Sequence, residues 1–378
     1  MKITDVRCTM LRLPKVEPIG DGTQDTLVVE VETDAGIVGI GEAHTSPWVV
    51  KAVIEAPVSH YSARGLRAIV LGEDPRNITA LWDKMYALSA VYGRRGALMH
   101  GLSAIDMALW DILGKVTGQP VYQLLGGAYR DAIAPYASIL ALDSPERTVE
   151  VAKGLVADGF RAIKFGWNGL GGDVERDVEA IALVRDAVGS DVDLMLDVGV
   201  PMPLHRAIAL ARALEPYGVG FLEEPLSPDD LDGYAKLARS TSTPIAAGEK
   251  ETTRFGFADL VTRGGIAVAQ PDVARVGGFT ESRRVADHAD LHGVTVIPHC
   301  WSTNILVAAT LHFVASLRSC PYLEYCIVDN PIRTSVTTHH FVPENGLVSV
   351  PTGPGLGVEL NRDTIESLRY DGPHVASA

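Results

Sequence analysis

The runs RAIK (161–164), DLMLD (193–197), GFLE (220–223), IAAGE (245–249), VAQPD (268–272), TVIPH (295–299) and PYLE (321–324) follow one pattern. Each is a short, mostly apolar stretch that closes on one polar side chain: Lys164, Asp197, Glu223, Glu249, Asp272, His299 and Glu324. Unalternated apolar runs of this length read as strands buried on both faces, as in a parallel sheet. Successive polar residues lie 23 to 33 positions apart, the length of one strand plus one helix. Strand and helix repeated at this interval predict an α/β fold, a (β/α) or TIM barrel, which carries its chemistry at the C-terminal strand ends. The seven side chains are expected at one mouth.

Between the runs the apolar spacing is helical. Val174, Val178, Ile181, Val184 and Val188 recur at steps of three and four, with Gly189 just beyond. SPDD (227–230) opens another helix, with Ser227 expected as its cap and Pro228 in its first turn. A further helix runs from about Thr280 to Gly293, and the last long one covers 302–317. The first barrel strand is expected at IAPYAS (133–138), after the glycine break LLGGAYRD (124–131). Upstream, residues 1–42 alternate as half-buried strands do, with the hairpin signal TDAG (33–36) and a flexible polar loop, PIGDGTQD (18–25). LSAIDMALWDILGKVTG (102–118) reads as a densely apolar helix. The expected organisation is an α+β capping module over 1–125, a barrel over 126–330, and a turn-rich tail over 331–378 that returns to the cap, since it is too short for its own core.

A barrel takes roughly 250 residues, and the chain has 378, which accommodates the second module. The net charge of −14 argues against sequence-independent nucleic-acid binding. No apolar run of membrane-spanning length and no secretory leader pattern is found. The four cysteines (Cys8, Cys300, Cys320, Cys326) are scattered and read as reduced thiols. A cytoplasmic protein is expected.

Three carboxylates, Asp197, Glu223 and Glu249, close successive strands. Brought together, they repel unless a cation neutralises them, and oxygen ligands select a hard ion. Mg²⁺ is the expected cation, and Mn²⁺ fits the same ligands. A lone acid at a strand end more often caps a helix or pairs with an arginine; three at one level do not. Asp272 and His299 close neighbouring strands, which lie ~4.8 Å apart. A carboxylate there fixes the tautomer of an imidazole and raises its basicity. Lys164 needs an anionic partner if buried, and Glu324 faces the cation as an acid able to donate a hydrogen bond if protonated.

With these residues in place, the chain resembles the enolase superfamily, in its mandelate racemase-like subgroup. The resemblance spans the whole chain and is carried by SAIDMALWDILGK, QPVYQLLGG, GFRAIK, FLEEP, GEK, QPD, IPH and PGLGVEL. It implies a (β/α)₇β barrel capped by both chain ends, with Asp197, Glu223 and Glu249 on Mg²⁺, Asp272 and His299 as a catalytic dyad, and Glu324 near the enolate. It also places Ser138 near the substrate carboxylate. Two departures stand out. The family pattern on the second strand is Lys-x-Lys, but Gly166 follows Lys164. Where Asn usually follows the first ligand by two positions, Gly199 stands.

Racemisation needs an acid–base group on each face of a planar intermediate, and one face here lacks it. A single histidine suffices for removal of an α-proton and loss of a β-hydroxyl from the same face. The expected reaction is therefore dehydration of a sugar acid, aldonate or aldarate, to a 2-keto-3-deoxy acid through an enediolate. Substrate contacts are expected from Asp21, Gln24 and Asp25, from His44 and Trp48, from Trp301 and Asn304, and from Tyr92, Arg94 and Arg95. The arginine pair would either grip a distal carboxylate, favouring an aldarate, or tie cap to barrel. The rivals are an epimerase or lactone cycloisomerase, with an acid from the cap or Tyr136, and a non-catalytic sugar-acid binder. A homo-oligomer is expected.

Overall fold

The computed structural model describes residues 1–61, 63–140 and 144–372. Three antiparallel strands open the chain: β1 (Ile3–Arg12), β2 (Asp25–Thr33) and β3 (Val38–Ala43). The β2–β3 turn falls on TDAG, with Gly36 at φ 74°. Five helices follow: α1 (Pro47–Glu55), α2 (Leu66–Val70), α3 (Ile78–Ser89), α4 (Ala97–Thr117) and α5 (Val121–Leu124). Helix α4 ends on Gly118 in the left-handed conformation, as a C-terminal glycine permits. It lies directly on β3. A Cβ at Gly39 would stand 2.0 Å from the Ala108 carbonyl, and one at Gly41 2.1 Å from that of Ala104.

β4 (Ala132–Ile133) leads into the large sheet: β5 (Pro135–Leu140), β6 (Ala162–Gly166), β7 (Asp193–Asp197), β8 (Phe221–Glu223), β9 (Ile245–Ala247), β10 (Val268–Ala269), β11 (Thr295–Val296) and β12 (Leu323–Cys326). Helices alternate with them: α6 (Pro145–Ala157), α7 (Val174–Val188), α8 (Leu204–Leu214), α9 (Leu231–Ala238), α10 (Thr253–Asp259), α11 (Gly278–Leu291) and α12 (Asn304–Ala315). The eight strands are parallel, and β12 returns to pair with β5, so the sheet curls round on itself. This is the (β/α)₇β order. The tail carries α13 (Pro331–Ser335), β13 (Val348–Ser349) and α14 (Arg362–Leu368). It reaches the cap through Tyr370 N to Met10 O (2.9 Å) and Leu356 N to Asp111 Oδ1 (2.8 Å), and pairs with β4 through β13.

Three local expectations change. The first barrel strand runs Pro135–Leu140, because Ala132–Ile133 is taken by β13. Asp230, not Ser227, caps α9: its carboxylate accepts from Gly233 N at 2.9 Å, while Ser227 O closes the preceding turn. Lys164 lies inside β6 rather than at its end, since Phe165 and Gly166 continue the ladder.

Side chains alternate along a strand, and this places the site. Tyr136, Ala162, Met195, Phe221, Ala246, Val268 and Ile297 form one buried cluster. Most of them stand two residues before a polar residue of interest: Tyr136 before Ser138, Ala162 before Lys164, Met195 before Asp197, Phe221 before Glu223 and Ile297 before His299. The barrel is thus plugged by an apolar layer, with the polar layer directly above it.

Gly41→Ala is expected to push α4 off the cap sheet and lower the unfolding free energy by about 1–3 kcal/mol. Gly154→Ala, in α6 with open space around it, is expected to be neutral or to stabilise by about 0.5–1 kcal/mol. Urea midpoints of the two variants check the contrast.

Candidate active site

At the mouth, Gly166 pairs with Asp197 and Asp197 with Glu223 in the ladder, so the acids of β7 and β8 share one level. Glu249 follows β9 by two residues. One oxygen from each of Asp197, Glu223 and Glu249 lies within 4.8 Å of the others, and all three residues are buried. Burial, and after it the neighbouring Glu223, pushes the Asp197 carboxyl well above its ordinary range; burial also raises Glu223. Glu223 Oε1 is buried without a hydrogen-bond partner. An acidic, oxygen-only trio with an unspent oxygen fits a hard divalent cation.

Lys164 binds this cluster together. Its Nζ lies 2.7 Å from Glu223 Oε2, 2.8 Å from Glu324 Oε1 and 3.8 Å from Asp197 Oδ2. Burial opposes its charge, but Glu223 and Glu324 outweigh burial and hold it well above the usual lysine value. Glu324 also accepts from Ser138 Oγ (2.8 Å) and from Cys300 N (2.7 Å). Burial pushes Glu324 up, yet Lys164 and His299 overcome it and keep the carboxyl below its ordinary range. In this arrangement Glu324 is an ion-paired acceptor; the donor role conditional on its protonation is not the one seen here.

Asp272 and His299 meet as expected: Asp272 Oδ2 lies 2.7 Å from His299 Nδ1. A carboxylate only accepts, so Nδ1 carries a proton toward Asp272, and Nε2, facing Glu249, carries one as well. Asp272 Oδ1 accepts from Ala274 N at 2.7 Å, which fixes the carboxylate plane. Burial lowers His299, but Glu249, 3.0 Å from Nε2, pushes it up to about 10.

The substrate contacts expected from the cap divide. Asp21 and Trp301 line a cavity of about 400 Å³ above the polar layer, with Ser138, Lys164, Glu324 and His299. They touch each other there, Trp301 Nε1 to Asp21 Oδ1 at 3.2 Å. Gln24 does not face the cavity. Its amide is spent on its own loop, donating to Glu17 O (2.8 Å) and Asp21 O (3.2 Å) and accepting from Glu17 N. His44 is buried behind the dyad rather than held on a cap loop over it, with Nε2 3.0 Å from Asp272 Oδ2. Arg95 lies outside, in a separate cleft with Arg94, Tyr86 and Phe255. There it reaches Asp229 (3.8 Å) and Glu251 (3.7 Å) on the barrel loops, so the arginine ties cap to barrel. Asn304 donates to Thr334 O and His339 O, holding the loop after α13.

Two residues of the mouth carried no expectation. Lys250, next to Glu249, pairs with Glu224 and donates to Gly199 O at 3.0 Å. Arg275, three residues after Asp272, lies 3.3 Å from Asp272 Oδ2 and 3.7 Å from Glu249 Oε1. Their positions beside a strand-end acid were the available signal.

Residues 4–126 match the mandelate racemase / muconate lactonizing enzyme N-terminal domain, and residues 147–364 the enolase C-terminal domain-like family. The chain belongs to the enolase superfamily. It sits in the mandelate racemase-like subgroup of that superfamily and is an enzyme. It is 34% identical to a D-galactarolactone cycloisomerase of Agrobacterium fabrum, over 99% of this chain and 100% of the relative. It is 36% identical to a D-galactonate dehydratase of Ralstonia nicotianae, over 99% and 96%. A 3,6-anhydro-D-galactonate cycloisomerase from Zobellia galactanivorans superposes with a TM-score of 0.88 at 35% identity, covering 98% of this chain and 100% of that one. Among the described residues, no helix of this superfamily member is long and apolar enough to cross a membrane.

Adding Mg²⁺ is expected to raise the thermal midpoint, by about 2.7 kcal/mol of stability at a hundred times the dissociation constant. Asp197 and Glu223 are raised, so in the metal-free protein they cost stability progressively as pH climbs above the ordinary carboxylate range. The cation offsets that cost and displaces their protons. The Mg²⁺-induced shift should therefore shrink as pH falls and vanish in Asp197→Asn; calorimetry across pH checks both.

Proposed function

We propose that the enzyme dehydrates a sugar acid to a 2-keto-3-deoxy acid, with His299 as general base and Asp197, Glu223 and Glu249 holding Mg²⁺, or Mn²⁺ in its place. The observation that carries this reading is the one-sidedness of the acid–base groups. His299 stands on one wall of the cavity. On β6, two residues beyond Lys164, Gly166 leaves no side chain, and a Cβ there would stand 2.9 Å from the Asp197 Cβ. One acid–base group serves a reaction whose proton leaves and returns on one face.

When bound, the cation supplies the positive charge that makes the proton beside a carboxylate acidic enough to remove. The chain's own residues do the rest. Lys164, already among acids, offers a second positive charge to the substrate carboxylate as negative charge builds on it. Asp272 holds the Nδ1 proton, so that Nε2, once released from Glu249, can take the α-proton. The same Nε2–H then returns that proton to the β-oxygen as its bond to carbon breaks, which yields an enol and water. Ser138 and Glu324 orient Lys164 beneath the carboxylate end. The apolar layer below excludes water from the reacting carbon.

A second reading shares every step up to bond breaking. If the β-oxygen belongs to a lactone or anhydro ring, its departure opens the ring and no water is lost. Full-length similarity to two cycloisomerases supports it.

In D₂O, the Mg²⁺-loaded enzyme given open-chain aldonates should replace the α-proton signal by a 3-deoxy methylene. Ring-opening without water loss, seen only with lactones or anhydro acids, would favour the second reading. His299→Asn should cut kcat by about 10³-fold or more while substrate binding changes by only a few-fold. Equal loss of binding would assign His299 to recognition instead.

A further inference from the structure

We infer that the substrate carries one negative charge: an aldonate, its anhydro form or an aldarate monolactone, and not an open-chain aldarate with two free carboxylates. This rests on the sugar-acid reading given above and narrows it.

Among the described residues, three lysine or arginine side chains line the cavity, Lys164, Lys250 and Arg275, beside His299, which is held between Glu249 and Asp272. None is left over for a second anion. Lys164 is divided between Glu223 and Glu324. Lys250 is paired with Glu224, lies 3.7 Å from Glu249, and stands over the Trp167 ring with Nζ 5.2 Å from its centroid. Arg275 is shared by Asp272 and Glu249 and lies 3.2 Å from the Glu249 carbonyl. The reacting end of the substrate therefore meets every positive charge the site holds.

The opposite end meets the roof. Ile19, Leu140, Thr45 and Trp301 face the cavity there, Trp167 closes it on the Asp197 side, and among the described residues the one charged group beside Trp301 is Asp21. Its Oδ1 accepts from Thr23 N (2.9 Å) and from Trp301 Nε1 (3.2 Å), so the carboxylate is fixed in place. A second substrate carboxylate would lie against aromatic faces and a like charge. A hydroxymethyl, methyl or ring terminus would instead pack its C–H groups on the two indoles, and any hydroxyl could donate to Asp21. Arg94 and Arg95, the basic pair that would recognise a dicarboxylate, open on the other cleft. No residue outside the described segments is Lys or Arg. Burying an unpaired carboxylate is costly enough to set strong selectivity.

The test uses pairs of acids with identical stereochemistry that differ only at the far carbon, such as galactonate with galactarate and gluconate with glucarate. Turnover is measured on the Mg²⁺-loaded wild type, and binding by thermal shift on the Mg²⁺-loaded His299→Asn variant. The monoacid of at least one pair is expected to exceed its diacid by about a hundredfold or more in kcat/KM, equivalent to about 2.8 kcal/mol, and to be the only member that stabilises His299→Asn. Asp21→Lys should narrow that gap by about tenfold or more. A diacid bound or turned over as well as its monoacid overturns the inference while leaving dehydration standing. A monoacid that binds selectively but shows neither α-exchange nor water loss leaves the inference and defeats the dehydratase reading. Silence of every pair in both measurements defeats both.

Discussion

Four buried carboxylates and one lysine set the terms for the rest of the molecule. Asp197, Glu223, Glu249 and Glu324 are all withdrawn from water, and Lys164 touches three of them. Burial first, and the neighbouring carboxylates after it, push Asp197 and Glu223 toward protonation. A rigid frame must hold them, because any relaxation would separate them. The parallel ladder from β5 to β9 provides that frame, and the apolar side chains below leave the acids no room to sink. Of the three acids that would face the cation, Asp197 and Glu223 are raised while, against burial, His299 and Arg275 hold Glu249 low, and Glu324, tied to Lys164, Ser138 and the Cys300 amide, is held low as well.

The cap contributes structure to the barrel's chemistry and not only a roof. His44, one residue beyond β3, donates to the same oxygen of Asp272 that His299 uses. Burial and the nearby Arg275 lower His44, which keeps it a neutral donor. Glu42, on β3 itself, accepts from Thr303 just ahead of α12. The dyad is thus held partly by another module, and the Trp82 indole fastens the two together through Gly277 O at 2.8 Å.

The reading of the sequence reached the barrel, the cap, the acid trio and the dyad because each rests on a local signal: an apolar run, a fixed interval, a polar residue at the end of the run. It did not reach the partners of His44 or Arg95, because those depend on where two modules separated by up to 228 positions meet, nor those of Gln24, which lie within its own loop. A polar residue on a loop says nothing about which way the loop folds. Gln24 faces inward because its own loop has backbone amides to satisfy, and Arg95 faces outward because acids on the barrel loops stand nearer to it than the mouth does. Lys250 carried no expectation, yet one residue beyond Glu249 it pairs with Glu224 and lies over Trp167.

The two departures from the family pattern lie on either side of one carboxylate, Asp197, and the aromatic ring that donates to it. Trp167 and Asn168 both adopt left-handed backbone conformations, at φ 59° and 48°, which side chains other than glycine's adopt only at a cost. The turn swings the Trp167 indole across the end of the barrel, where Nε1 donates to Asp197 Oδ2 at 3.1 Å. A Cβ at Gly199 would stand 2.5 Å from that ring, so the asparagine usual at that position has no room. A side chain at Gly166 would meet Asp197, which the indole holds in place. The missing amide at 199 thus follows from seating one aromatic ring, while the glycine at 166 adjoins the carboxylate to which that ring donates. The ring presents an apolar face on that wall of the cavity, which agrees with the proposed one-sided chemistry and uncharged substrate tail.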